Sequence, residues 1–289
     1  RQNLPVSDRA ADVESSVAKI KAAQERGVST LVDLTVADWR DIPFVKEVVS
    51  RTGMRVIVAT GVYWEVPHFF WASSGRDIDY IAGLFAGDIE YGIMDTGVRA
   101  GVIKCATDQP GMTPDVERIL RASARAHRRT GVPISTHTHA ESKVGLKQQD
   151  VLEAEGVDLG RVIIGHSGDS DDLDYLTTLI ERGSYIGMDR FGLDNFQNPQ
   201  TRIDVVARLC QLGYAEKIGP LTRRFVLLRL GDGGPRAAGR AELALHIHPE
   251  GSDPGPPGCR CDRRPDPDDD RGQPAPYLRA AGCLLVDRG

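Results

Sequence analysis

The sequence predicts an α/β fold, a parallel barrel, on three observations. Short apolar runs alternate with helix-patterned stretches through the first 218 residues. Three of the runs carry Lys104, His137 and His166, spaced by 33 and 29 residues, close to the roughly 30 residues of one βαβ unit. The 289-residue length accommodates a single barrel of about 250 residues.

Asp8 to Gly27 reads as a helix, because Val13, Val17, Ile20 and Ala23 recur at helical spacing and Gly27 stops it. Thr30 to Thr35 follows as a short buried strand. A helix over about Ile42 to Arg51 stops at Gly53, and the strand Arg55 to Thr60 runs into the loop Gly61-Val-Tyr-Trp-Glu65. A helix within Asp77 to Tyr91 precedes the strand Gly101 to Ala106. Thr113 caps and Pro114 starts a helix to Arg129, with Gly131 just past its end. The run Val132-Pro-Ile-Ser-Thr-His-Thr-His-Ala140 supplies the next strand, and a helix over about Leu146 to Glu155 follows it. Arg161-Val-Ile-Ile-Gly-His-Ser-Gly-Asp169 supplies the fifth strand, Asp171 to Arg182 a helix, Tyr185 to Asp189 the sixth strand and Pro199 to Leu212 a helix. Runs this apolar suit a parallel sheet covered on both faces, and each crossover is long enough to connect parallel neighbours.

From about Gly219 the character changes. The last 71 residues hold 10 of the 17 prolines, together with runs such as Asp253-Pro-Gly-Pro-Pro-Gly258 and Arg263-Arg-Pro-Asp-Pro-Asp-Asp-Asp270. The division is therefore a barrel over 1–218 and an anomalous tail over 219–289, without strand or helix period and expected to be disordered or non-native.

A net charge of −5 and a pI near 5.8 offer no basic face to nucleic acid or anionic lipid. No run of about 18 apolar residues suggests a membrane span, and no signal segment opens the chain. Arg1 in place of Met suggests a processed or incomplete start. The five cysteines form no disulfide framework, and Cys259-x-Cys261 lacks a second pair for zinc, so a cytoplasmic setting is expected.

A lone histidine in an apolar run is usually a satisfied core residue. Two of them plus a lysine, at matching ends of successive strands, point instead to a site on the C-terminal face of a barrel. Lysine is almost never fully buried unless paired, and carbamylation would turn the Lys104 amine into an anionic oxygen donor bridging two metal ions. Asp169, three residues after His166, is the candidate carboxylate to orient that imidazole; a helix N-terminal acid is the competing reading. Tyr63, Trp64 and Arg190, on strand-end loops, are candidates to line a substrate pocket. His139 is assigned to the opposite side of its strand from His137, His127 to a helix surface, and His68, His246 and His248 to loop or tail; none is given a functional role.

The strings Thr35, Ala59-Thr-Gly-Val-Tyr63, Gly101-Val-Ile-Lys-Cys-Ala-Thr107, Thr136-His-Thr138, Ile164-Gly-His-Ser-Gly-Asp169 and Gly187-Met-Asp-Arg-Phe-Gly-Leu-Asp194 resemble the phosphotriesterase family of the amidohydrolase superfamily. The phosphotriesterase-like lactonases are the branch they resemble most, and the likeness runs from the first helix to about Ile218. It implies a (β/α)8 TIM barrel with strands two to seven recognisable here, the first absent and the eighth garbled. It also implies two divalent metal ions, zinc first, with cobalt, iron or manganese as alternatives. Lys104 would be the carbamylated bridge, His137 and His166 metal ligands, and Tyr63 and Arg190 the substrate contacts; Lys104 and Asp169 are the candidate catalytic residues. In the implied reaction a metal-held hydroxide attacks a lactone carbonyl or a phosphotriester phosphorus, since coordination brings the pKa of water from 15.7 to about 7. The implied partners are a small-molecule lactone or organophosphate ester and a second copy in a homodimer.

Two departures qualify the resemblance. The family's first strand carries a His-x-His pair, and this chain opens at the first helix; the family's eighth strand carries a metal-binding aspartate, where this chain reads Gly219-Pro-Leu-Thr-Arg-Arg224. Back-translated and read one base later, that hexapeptide can give Val-Leu-Ser-His-Asp, as expected of a frame displaced near codon 219. The exact polypeptide is therefore expected to bind metal weakly and to hydrolyse little, with unpaired edges on strands two and seven. The alternatives are a non-catalytic remnant of the fold and an amidohydrolase acting on another ester or amide.

Overall fold

The computed structural model describes residues 8–36, 39–63, 76–109, 111–191, 193–219 and 225–228, the last four as backbone alone. The predicted alternation is present. Helix α1 (Arg9–Glu25) leads to β1 (Thr30–Asp33), α2 (Ile42–Thr52) to β2 (Arg55–Gly61), α3 (Ile78–Glu90) to β3 (Val102–Thr107) and α4 (Pro114–Thr130) to β4 (Ile134–Thr138). Then come α5 (Val144–Ala154), β5 (Val162–Ile164), α6 (Leu173–Glu181), β6 (Tyr185–Gly187), α7 (Pro199–Gln211), β7 (Ile218–Gly219) and β8 (Phe225–Leu228). All the described α-helices but α5 start where acceptor side chains meet their orphan amides: Asp8, Asp41, Asp77, Thr113, Asp172 and Asn198 each accept from first-turn N–H groups. Gly53 and Gly131 close α2 and α4 in the left-handed conformation. No helix among the described residues is long and apolar enough to cross a membrane.

All ladders are parallel, in the order β7-β6-β5-β4-β3-β2-β1-β8. Laid flat, strands about 4.8 Å apart would hold β7 and β8 roughly 34 Å from each other. Only residues 220–224 join Gly219 to Phe225, a stretch that reaches about 21 Å at most. The sheet must therefore curl, as a barrel does. No ladder joins β7 to β8 among the described residues, so the (β/α)8 barrel is incomplete.

Strand β8 corrects two expectations. The tail does contain a strand, and β1, the family's second strand, does not have a bare edge: Thr30 to Asp33 pair with Phe225 to Leu228. The physical reason is that an open edge presents a row of unsatisfied N–H and C=O groups, and Phe-Val-Leu-Leu is an apolar run within covalent reach of it.

Alternation along the strands divides the core. Val56, Val58 and Leu31 face outward against α1 and α2, while Ile103, Cys105, Ile134, Val162, Ile164 and Ile186 face outward against the later helices. Val32, Ile57, Ala59 and Val102 form a separate cluster inside the curl, and the site is built on this interior face.

Candidate metal centre

Residues two apart in a strand share a face. Beyond Ala59 the interior side therefore continues through Gly61 to Tyr63, and beyond Val102 through Lys104 and Ala106 to Asp108. Register sets Lys104 opposite Ser135 and Ala106 opposite His137, so His137 is interior as well. Lys104 lies one pleat deeper than His137, which corrects the expectation that the two occupy equivalent ends. The same parity rule corrects His139: it does not alternate with His137, and it lies one residue past the end of β4 at Thr138. Its Nε2 lies 3.3 Å from the Gln109 side-chain nitrogen.

His166 follows a different rule. It lies past the end of β5, and continued alternation from the outward Ile164 would carry it outward too. A left-handed φ of 61° breaks the alternation and brings its ring edge-on to His137, with centroids 4.6 Å apart. Gly165 makes this turn possible, because a Cβ there would come within 2.2 Å of the Thr136 carbonyl oxygen.

Hydrogen bonds assign the protons. Asp189 Oδ1 lies 2.8 Å from His166 Nδ1 and accepts from the His166 backbone N–H at 3.1 Å. Burial opposes charge on Asp189, but its interaction with His166, with the charges of Lys104 and Arg190, outweighs it and holds the carboxylate ionised. An ionised carboxylate only accepts, so Nδ1 carries the proton and the His166 lone pair sits on Nε2. Asp108, held down to about 2 chiefly by its hydrogen bond to His137, likewise accepts from His137 Nε2 at 2.9 Å. His137 Nδ1 is then left to accept from the Tyr63 hydroxyl at 2.7 Å.

Burial pushes His137 down to about 3 and lowers His166 as well, so both rings are neutral at pH 7. Lys104 is 4 % exposed, and burial, opposed by the charge of Asp189, brings its amine down to about 8.

The remaining candidates meet in a second cluster. Asp169 does not orient His166, as expected from their spacing; Asp189 holds that place. Asp169 instead accepts from Arg190 Nη1 at 2.6 Å and from Arg202 Nη2 at 3.0 Å. The competing reading, a helix N-terminal acid, fits in part: Asp169 lies in the short 3-10 turn Ser167–Asp169, while Asp172 caps α6. Arg190 lies over the Phe196 ring, 4.3 Å from its centroid. His127 is buried rather than on a helix surface, its Nδ1 2.8 Å from the Val132 carbonyl. Trp64, His68, His246 and His248 lie outside the described residues. Sequence reasoning missed Asp108 and Asp189, although parity marks both: Asp108 is four residues after Lys104, and Asp189 two after Gly187.

The sequence model of the phosphotriesterase family matches residues 2–231. The chain belongs to the phosphotriesterase family. It is 49 % identical over 226 residues to a phosphotriesterase homology protein of Mycobacterium tuberculosis, covering 75 % of this chain and 69 % of that one. It is 44 % identical over 210 residues to an aryldialkylphosphatase of Saccharolobus solfataricus, covering 72 % and 66 %. The solved phosphotriesterase structure from Mycobacterium tuberculosis superposes with a TM-score of 0.70 at 50 % identity, over 73 % of this chain and 67 % of that one.

The phosphotriesterase family implies a binuclear metal centre, and the donors here fit part of one. His166 meets the requirement for a ligand, a neutral ring whose Nδ1–H is fixed by a carboxylate and whose Nε2 carries the lone pair. His137 must first release Tyr63 or Asp108, since both its nitrogens are engaged. Among the described residues no three His, Cys, Asp or Glu side chains converge into a ready cation cage. The strand beside β1 reads Phe225-Val-Leu-Leu228, which contains no ligating residue type.

Proposed function

We propose that this chain carries the metal-dependent hydrolase site of the phosphotriesterase-like lactonase type, acting on a lactone or a phosphotriester, in an impaired form. The supporting observation is the pair of neutral imidazoles with centroids 4.6 Å apart, one pleat above buried Lys104. Lys104, His137 and His166 would hold the metal, two divalent ions with zinc first. Bound there, the ions would supply a Lewis acid and make hydroxide available at neutral pH.

The chain's own residues have separate tasks. The lowered pKa of Lys104 increases the neutral amine, which adds to CO2 with loss of a proton and becomes an anionic carbamate. Asp189 fixes the His166 tautomer, Tyr63 and Arg190 border the substrate, and Asp169 acts through Arg190. The name of the Saccharolobus relative favours a phosphotriester, and the motif resemblance favours a lactone. A small-molecule ester substrate, a cytoplasmic location and a homodimer belong to the same reading, as does the division into a barrel over 1–218 and a non-native tail.

The second reading, a non-catalytic remnant, is favoured by the engagement of both His137 nitrogens. Metal analysis of the purified 289-residue chain and its Lys104→Ala variant, with parallel assays of a lactone, a phosphotriester and an aryl ester, separates the two. The expected result is substoichiometric metal that Lys104→Ala abolishes, with little turnover. Metal content indifferent to Lys104 would remove the site, and two tightly held ions with robust turnover would remove the impairment.

A further inference from the structure

Arg202, on α7, is the largest fully buried side chain described, with none of its surface exposed. Taking a guanidinium out of water is costly unless it is paired, so its partners matter. Nε donates to the Gly168 carbonyl at 3.1 Å, and Nη2 donates to Asp169 Oδ1 at 3.0 Å. The guanidinium lies 5.6 Å from the Phe191 ring centroid, and Nη1 has no hydrogen-bond partner among the described residues. One side chain thus ties α7 to the turn after His166 and to the segment after β6.

The other Asp169 oxygen takes Arg190 Nη1 at 2.6 Å. A single carboxylate therefore bridges one guanidinium locked in the core and one that follows Asp189, the partner of His166, in the chain and whose charge acts on both imidazoles. The locked partner sets the plane of the carboxylate, and the carboxylate aims the other guanidinium. Neither Asp172, which caps α6, nor Asp189, which holds His166, duplicates this task.

We infer that Arg202 is a positioning residue: through Asp169 it fixes the guanidinium of Arg190 beside the His137–His166 pair. Only the importance of Arg190 for substrate rests on the proposed function; the tether itself does not.

Hydrogen exchange read by mass spectrometry tests it on the full chain, with no substrate or metal present. In Arg202→Gln and in Asp169→Asn, amides over 189–197 should exchange about tenfold faster, within the range of coupling between groups that share a partner. The double variant should exchange no faster than either single one, and Arg202→Lys should recover part of the protection. If Arg202→Gln fails to fold, Asp169→Asn and Arg202→Lys carry the test. A purely structural role for Arg202 would confine the loss to 199–211. That outcome, additive effects in the double variant, or unchanged exchange over 189–197 would each overturn the inference. A separate Arg190→Ala variant that binds a lactone as tightly as the native chain would remove Arg190 from the pocket without bearing on the tether read by exchange.

Discussion

Lowering the pH from 7 to 5 should destabilise the metal-free chain through His137. Burial takes its pKa from 6.5 to about 3, and its side chain is 7 % exposed, so solvent screening discounts little. A folded pKa below the unfolded one means that the unfolded chain binds the proton first as pH falls. Stability from this group is therefore complete above pH 6.5 and is lost as pH drops toward 3. At 1.36 kcal/mol per unit, the loss at pH 5 is about 2 kcal/mol. With a urea slope of about 2 kcal/mol/M, that lowers the unfolding midpoint by about 1 M.

The assay is urea unfolding at both pH values with a chelator present, on the native chain and on His137→Gln. The variant should lose about 1 M less between the two pH values than the native chain. His166 is also lowered, but it is present in both proteins and cancels. Asp108, held at about 2 by His137, would relax toward 3.8 in the variant and still be ionised at pH 5. Equal midpoint shifts in the two proteins would refute a neutral, buried His137.

Asp189→Asn keeps the shape and removes the charge that fixes the His166 tautomer. Metal affinity measured against a competing chelator should fall by about 10- to 100-fold, and an unchanged affinity would remove Asp189 from the site. Gly61→Ala places a Cβ 1.9 Å from the Lys104 carbonyl oxygen at a φ of +115°. Gly53→Ala has a positive φ of +67° and nothing within 4 Å of the new Cβ, which makes it the control. Thermal melts should show a loss of about 1–2 kcal/mol for Gly53→Ala and a clearly larger one for Gly61→Ala; equal losses would mean that β2 and β3 do not depend on close contact at Lys104.

The barrel was legible because its evidence is periodic. Val13, Val17, Ile20 and Ala23 line α1 on its buried side, and Thr113, Pro114 and Gly131 bound α4 where capping chemistry puts them. Strand β8 was not legible, because composition describes the whole tail and averages away four residues. What recruits Phe225–Leu228 is the edge of β1, almost two hundred residues earlier in the chain.

The site was half legible for a related reason. Lys104 and His137 stand out as charged or polar residues within apolar runs, which needs no knowledge of neighbours. The carboxylates that orient the imidazoles do not stand out that way. Asp169 was chosen for lying three residues after His166, yet nearness along the chain counts for little in a parallel sheet. A strand end meets the end of the next strand, one crossover away. Asp189 is 23 residues beyond His166, and Asp108 is 29 before His137. Both separations are about one βαβ repeat, and both aspartates continue the interior parity of their strands. The carboxylate that serves a barrel histidine is therefore better sought one repeat away, on the matching face, than in the histidine's own loop. By that rule Asp169, in the loop that follows His166, is free for its pairing with Arg190 and Arg202.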